Sequence, residues 1–333
     1  MGLKRKGVGI IGCGLIGRKR AISLDERSKV NVCCDIQLSQ AKQLAEEFGG
    51  DVCEQWQQVI ESDEVDILVI ATTHNLLAEI ALAGVKAGKP ILLEKPGARR
   101  TKEIDFVLQE SQQRKVPVHV GFNHRFHPAM LKARDLIENK ALGELFFIRG
   151  RYGHGGRVGY DKEWRADPDI SGGGELLDQG AHLIDLSLWY FGESFTGVSG
   201  ETKTYFWNMP VEDNAFLTLN TATGKIAQLH VSWTEWKNLF SLEIIGKKGK
   251  LHIEGLGGSY GTERLAFYQM KPEMGPPDTK IWEWPGVDLS WKTEWNHFMK
   301  EINSGVVHCN PGLRSTREVL GVIETIYQQH NTP

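Results

Sequence analysis

The apolar positions in the first third of the chain fall in short, β-branched runs set between amphipathic stretches. "VGIIG" (Val8 to Gly12), "VNVCCD" (Val30 to Asp35), "VDILVIA" (Val65 to Ala71), "PILLE" (Pro90 to Glu94) and "VPVHVGF" (Val116 to Phe122) read as strands. Their apolar residues run on without strict alternation, as strands covered on both faces do. "SQAKQLAEEFG", "NLLAEIALAGVKAGK" and "TKEIDFVLQESQQRK" carry helical spacing between them, two closing at or near a glycine. Strand and helix in alternation predict a parallel, doubly wound sheet, the Rossmann form of an α/β fold, over residues 1–122.

After Asn123 the rhythm changes. A helix, "HPAMLKARDLIEN", leads into the strand-like "GELFFIRGRYG" and then into a glycine-rich, charged segment. From Thr196 to Tyr268 strand-like runs follow one another, and "TATGK" and "GKKGK" have the composition of hairpin connections. Two helices, "WKTEWNHFMKEIN" and "STREVLGVIETIYQQ", close the chain. The expectation for 123–333 is a single α+β domain on a large, mainly antiparallel sheet.

One helix is chemically odd. In "GGGELLDQGAHLIDLSLWYFG" (Gly172 to Gly192), Asp178, His182, Asp185 and Trp189 stand at i, i+4, i+7 and i+11, one stripe at about 100° per residue. Leucines and isoleucines cover both flanks, so the helix reads as buried. A carboxylate and an imidazole buried there cost several kcal/mol unless something answers them.

Length and composition narrow the setting. At 333 residues, two domains are expected. A net charge of -3 with interspersed signs offers no field for nucleic acid. The opening "MGLKRKGVGIIGCG" has no long apolar export region, and no apolar run approaches the roughly 18 residues of a membrane span. Cys13, Cys33, Cys34, Cys53 and Cys309 lack metal-ligand spacing and are odd in number, so no metal site is expected and a reducing cytoplasm fits best.

The candidate chemistry starts with "GIIGCGLIGRKRA". Gly12, Gly14 and Gly17 form a GxGxxG directly after a strand, with Leu15 and Ile16 opening a helix whose amides face a pyrophosphate. Asp35 ends the next strand, where a carboxylate holds ribose hydroxyls and repels a 2′-phosphate. NAD is therefore favoured over NADP, although Arg18 and Lys19 remain within reach of a phosphate. Glu94, Lys95 and Pro96 stand at the carboxyl end of Pro90 to Glu94, the edge where open α/β sheets bind ligands.

Five segments in order, "GIIGCGLIG", "EIALAGVKAGKPILLEKP", "GFNHRFHPA", "GGGELLDQGAHLIDLSLW" and "VEDNAFLTL", resemble the glucose-fructose oxidoreductase and inositol dehydrogenase family over nearly the whole chain. The resemblance implies that Lys95, Asp178 and His182 form the catalytic group. It implies an NAD-dependent oxidoreductase moving a hydride between nicotinamide and a secondary hydroxyl, or ketone, of a sugar, cyclitol or nucleotide-linked sugar. His182 suits a base near neutrality, Lys95 suits a developing alkoxide, and Asp178 suits orientation, while some family members give the base role to the lysine. The resemblance also implies a homodimer or homotetramer through the open face of the second sheet.

Relatives often read "PNxxHAEIA" where this chain has "ATTHNLLAEIA", with Thr73 for the proline and Leu77 for the later histidine. Thr72 and His74 are the expected nicotinamide-side contacts, and Glu94 with Lys95 completes the cofactor set. For substrate the candidates are Asn123, Arg125, Tyr152, His154, Arg157, Trp164 and Arg165; the alternative for each is a polar loop or subunit contact. Trp233, Glu235 and Trp236 either line the same cavity or sit in the sheet core or subunit face. The arginines lean toward an anionic or nucleotide-linked substrate. Two rival readings use the same residues: an NAD-dependent glycoside hydrolase working by transient oxidation, and a non-catalytic sensor.

Overall fold

The computed structural model describes residues 5–273, 275–305 and 312–330, with Cys309 outside them. In chain order the elements open with β1 (Lys6–Ile11), α1 (Leu15–Ile22), β2 (Ser28–Cys34), α2 (Leu38–Phe48), β3 (Asp51–Cys53), α3 (Trp56–Glu61), β4 (Ile67–Ile70), α4 (His74–Lys86), β5 (Ile91–Glu94), α5 (Thr101–Arg114) and β6 (Val118–Gly121). These give a six-stranded parallel sheet in the order β3-β2-β1-β4-β5-β6. The order reverses between β1 and β4, the switch point where doubly wound sheets bind ligands. β4, β5 and β6 are buried along their length, as their continuous apolar runs predicted.

Next come α6 (Pro128–Glu138), β7 (Leu145–Gly153), α7 (Pro168–Ser171), α8 (Ala181–Phe191), β8 (Phe195–Lys203), β9 (Asn214–Thr221), β10 (Ile226–Ser232), β11 (Leu239–Gly246), β12 (Gly249–Glu254), β13 (Glu263–Gln269) and β14 (Asp278–Trp284). They form an eight-stranded sheet ordered β14-β13-β12-β11-β7-β10-β9-β8. Every neighbouring pair is antiparallel except β7 with β10. Both expected hairpins form, β9 to β10 across Thr221 to Lys225 and β11 to β12 across Gly246 to Gly249. β11 and β12 alternate buried and half-buried positions, the mark of a sheet with one covered face. α8 packs on that sheet over β7 and β10, and of its residues Trp189 alone is not buried.

The last elements are α9 (Ser290–Ser304) and α10 (Leu313–His330). The chain divides into one compact unit of Met1–Asn123 with Trp291–Arg317 and a second of His124–Ser290 with Glu318–Pro333. The first of the two closing helices, expected with the second domain from its position in the chain, clusters from Trp291 onward with the first unit. Trp295, Phe298 and Met299 of α9 lie in one apolar cluster with Val8, Ile10 and Leu92 of the parallel sheet. An amphipathic pattern shows that a helix has a buried face but not which sheet covers it. Among the described residues no helix is long and apolar enough to cross a membrane.

Candidate active site

In the first unit the glycine loop is shaped by close approach. Gly12 has φ +92°, and a Cβ there would lie 2.4 Å from the Ala71 carbonyl oxygen. A Cβ on Gly17 would lie 1.9 Å from the Gly12 carbonyl oxygen, so α1 can meet the strand only through glycine. Gly14 faces open space apart from the Gln40 amide oxygen, and the α1 N-terminus has no side-chain cap. The amides of Leu15, Ile16 and Gly17 thus open a helix whose N-terminus is suited to an anionic group. The Asp35 carboxylate accepts the amides of Cys13 and Gln37, each at 2.8 Å, which fixes it at the edge of this loop with lone pairs to spare. Beside it Ile36 is exposed, an apolar surface of the kind an adenine ring covers. These features fit a dinucleotide with unphosphorylated ribose. Arg18 is occupied by Glu47 and Lys19 lies over the Trp291 ring.

Thr72 follows β4 at the switch point and His74 opens α4, buried. Glu94, expected as a cofactor contact, has its side chain turned to Arg20. Its carboxylate is buried and accepts from Arg20 Nε at 2.6 Å, while Arg20 Nη1 reaches Glu294 at 2.5 Å. Glu294 also meets His119 Nε2 at 3.3 Å, and His119 Nδ1 lies 3.8 Å from Glu301. A Cβ on Gly121 would come within 2.5 Å of Arg20 Nη2, so β6 leaves a gap for this network. Burial pushes the Glu94 carboxyl above its usual value against the pull of Arg20. Burial also opposes charge on Glu294, yet Arg20 and His119 outweigh it and hold that carboxyl low. Glu94 thus fixes the backbone that leads into Lys95. Arg20 was missed, although a basic residue three positions after Gly17, on the strand-facing side of α1, was the available signal.

In the second unit the helix begins with a π-type turn, Leu176–Gly180, ahead of α8. Such turns take an extra residue and recur at functional sites, so the uniform 100° spacing does not run through Asp178. Glu212 holds the start of this helix. Its carboxylate accepts the amides of Gly174 and Leu176 at 3.0 to 3.1 Å and the Tyr327 hydroxyl at 2.7 Å. Asp178 pairs with Arg165 Nε at 3.0 Å, and Arg165 lies over the Trp164 ring. The His182 ring stacks on His124 at 3.8 Å between centroids and meets Tyr152 edge-on at 6.2 Å. Asp185 takes a two-point ion pair from Arg125, at 2.8 and 2.6 Å, which places Arg125 as a brace for the helix.

Tyr152 faces Tyr260, whose hydroxyl receives the Gln179 amide at 3.4 Å. Burial raises both phenols, Tyr260 to about 12 and Tyr152 further, so both keep their protons at neutral pH. Burial lowers His154, with Arg165 and Arg157 adding to the effect, and its Nδ1 accepts the Gly156 amide at 2.9 Å. Arg157 is exposed and paired with Glu163 at 2.7 Å. Asn123 is buried in the short turn before α6. Trp233 is a core residue against Tyr160 and Val211, whereas Trp236 is exposed. The second unit thus gathers Tyr152, His154, Arg165, Asp178 and His182 around one polar centre. The residues missed there are His124, Gln179, Glu212 and Tyr260; "GFNHRFHPA" and "VEDNAFLTL" contained two of them.

Among the described residues no group of three or more His, Cys, Asp or Glu side chains could hold a metal.

Residues 6–122 match the model of an oxidoreductase family with an NAD-binding Rossmann fold, and residues 130–252 match the GFO/IDH/MocA C-terminal domain. Levoglucosan dehydrogenase of Pseudarthrobacter phenanthrenivorans is 28% identical over 65% of this chain and 59% of its own length. Inositol 2-dehydrogenase 2 of Saccharopolyspora erythraea is 27% identical over 67% of this chain and 66% of its own. The aligned part therefore spans under two thirds of either relative. A solved levoglucosan dehydrogenase in complex with NADH shares the fold, with a TM-score of 0.87 at 23% identity, covering 97% of this chain and 96% of that one.

Proposed function

We propose, because the chain belongs to the GFO/IDH/MocA family, that it is an NAD-dependent oxidoreductase acting on a secondary hydroxyl, or the matching ketone, of a sugar, cyclitol or nucleotide-linked sugar. The observation that carries this reading is that a Rossmann cradle with its ribose-type carboxylate and a buried Asp178, His182 and Tyr152 cluster occur in one chain. When bound, NAD supplies the acceptor for the hydride. In this reading the loop of Gly12, Gly14 and Gly17, with Leu15 and Ile16, holds the pyrophosphate, Asp35 the ribose, and Thr72 and His74 the nicotinamide side.

His182 takes the proton of the reacting hydroxyl on an imidazole nitrogen and returns it in reduction. The Lys95 ammonium stabilises negative charge growing on that oxygen. Asp178, oriented by Arg165, accepts a hydrogen bond from a substrate hydroxyl. Arg157 and Arg165 are each paired with a carboxylate, so their charge is answered within the protein, which supports a neutral sugar or cyclitol among these substrates. Self-association through the exposed face of the eight-stranded sheet, and work in a reducing cytoplasm where Cys13, Cys33, Cys34 and Cys53 stay free thiols, belong to the same proposal.

The test is a panel of hexoses, inositols, anhydrosugars, sugar phosphates and nucleotide sugars, read by the absorbance of NADH. Turnover with neutral polyols is expected. Absence of turnover across the panel overturns the proposal, and sugar release from an aryl glycoside without net NADH replaces it with the hydrolytic reading.

A further inference from the structure

Next to the polar centre of the second unit, three consecutive aromatic residues are displayed on purpose-built backbone. Asp213 is fully buried, and its two carboxylate oxygens accept the amides of Tyr205, Phe206 and Trp207 at 2.9, 2.8 and 3.0 Å. A buried carboxylate with several amide donors defines a loop closely. That loop nevertheless leaves Tyr205 67% and Phe206 58% exposed. Across from it Trp236, at φ +55°, is 64% exposed and meets the Phe206 ring edge-on at 4.6 Å. A left-handed backbone at a bulky residue is uncommon and needs surroundings that enforce it.

The rings continue inward. Phe206 meets Trp207 at 5.1 Å, and Trp207 meets Tyr160 at 5.7 Å. Trp207 is anchored by its indole N–H to the Trp233 carbonyl, and a Cβ on Gly156 would come within 2.5 Å of its ring. Tyr160 in turn lies beside His154 at 5.7 Å, within the electrostatic reach of Asp178 and Arg165. The ring ladder therefore leads from solvent to the residues assigned to the reacting sugar.

We propose that Phe206 and Trp236, whose rings meet at 84°, form an aromatic corner, a platform that stacks on one face of a second, neutral pyranose ring and flanks its edge, so that the preferred substrates are glycosides rather than free monosaccharides. This rests on the sugar-oxidoreductase reading. Rigid aromatic faces present apolar area at little conformational cost, which suits the C–H faces of a sugar. A nucleotide-linked sugar would also bring a pyrophosphate, and the arginines of the neighbouring segment, Arg157 and Arg165, are already paired with Glu163 and Asp178.

Glucose, methyl glucoside, maltose and cellobiose are compared as substrates, and by intrinsic tryptophan fluorescence as ligands, in the wild type and in Phe206→Ala and Trp236→Ala. The ratio of kcat/KM for disaccharide over monosaccharide is expected to fall about tenfold, the equivalent of about 1.4 kcal/mol. Disaccharide binding should quench or shift the fluorescence of the wild type but not of Trp236→Ala. An unchanged ratio overturns the proposal, as does a preferential loss with nucleotide sugars. A variant that turns from oligomer to monomer by light scattering while the ratio holds assigns the platform to a subunit contact and also overturns it. If the wild type oxidises no sugar, the oxidoreductase reading fails, and the fluorescence titration still decides whether the platform binds disaccharide.

Discussion

Replacing Arg20 by Met keeps most of the side-chain length and removes the cation shared by Glu94 and Glu294. Both carboxylates are buried, at 6% and 0% exposure. Removing one partner of a buried ion pair costs about 3–5 kcal/mol, because the other charge is left unanswered. The variant can escape part of that cost by protonating Glu94. From an ordinary carboxyl value near 4.3, protonation costs roughly 5 kcal/mol at pH 8 and roughly 1.6 kcal/mol at pH 5.5. Glu294 keeps His119 as a partner, and that imidazole is raised: burial opposes its charge, but Glu294 and Glu301 outweigh burial.

The signs agree. The folded Glu94 carboxyl already lies above its unfolded value in the wild type, and loss of Arg20 raises it further, so the variant gains more stability than the wild type as pH falls. His119, also raised, contributes fully below its unfolded value of about 6.5 and loses that contribution as pH rises through its folded value. Glu301 is pushed down to about 2, so its contribution is intact above the unfolded carboxyl range and is lost only toward that acid limit, outside the window tested. The deficit of Arg20→Met against wild type should therefore be about 4–5 kcal/mol at pH 8 and shrink to about 2 kcal/mol at pH 5.5. At roughly 2–4 °C per kcal/mol for a unit of this size, the Tm gap should narrow from about 8–20 °C to about 4–8 °C. Thermal unfolding followed by circular dichroism across that pH range measures it. A pH-independent gap would mean that packing, not charge, is lost, and would refute the reasoning. The double variant Arg20→Met with Glu94→Leu should recover most of the stability at pH 8.

Asp35→Ser should weaken NAD binding about 10- to 100-fold and shift the NAD to NADP affinity ratio toward NADP, as measured by calorimetry; an unchanged ratio removes Asp35 from the ribose. His182→Ala should lower kcat by about 100-fold or more with NAD affinity retained, and wild-type turnover would strip His182 of its role.

The parallel sheet was legible because strands covered on both faces are apolar throughout, and "VDILVIA" and "PILLE" are largely apolar, contain β-branched residues and are too short for a helix. The hairpins were legible because their turns need glycine at set places. What stayed hidden were partners distant in the chain. Asp185 has a charge that burial alone would forbid, but nothing in its own segment points to Arg125, sixty positions earlier. Glu212 looks like the start of a strand and serves as the cap of a helix. Glu94 sits where ligands bind and is spent on Arg20. The π-type turn was invisible because periodicity arguments assume the very spacing that it breaks.

Those hidden partners explain how the stripe of Asp178, His182 and Asp185 is tolerated in a buried helix. Glu212 fixes the helix start, Arg165 answers Asp178 one turn before His182, and Arg125 answers Asp185 just after it. Each is a charge-assisted contact, the kind strong enough to set a backbone. None of the three passes through the imidazole of His182, whose stacked and edge-on ring neighbours are His124 and Tyr152. The position of His182 is therefore imposed from both sides by contacts to other residues. In the role proposed for it, that placement keeps the His182 imidazole registered by Asp178 and Asp185 on either side, as a base that must be reset in every turnover requires.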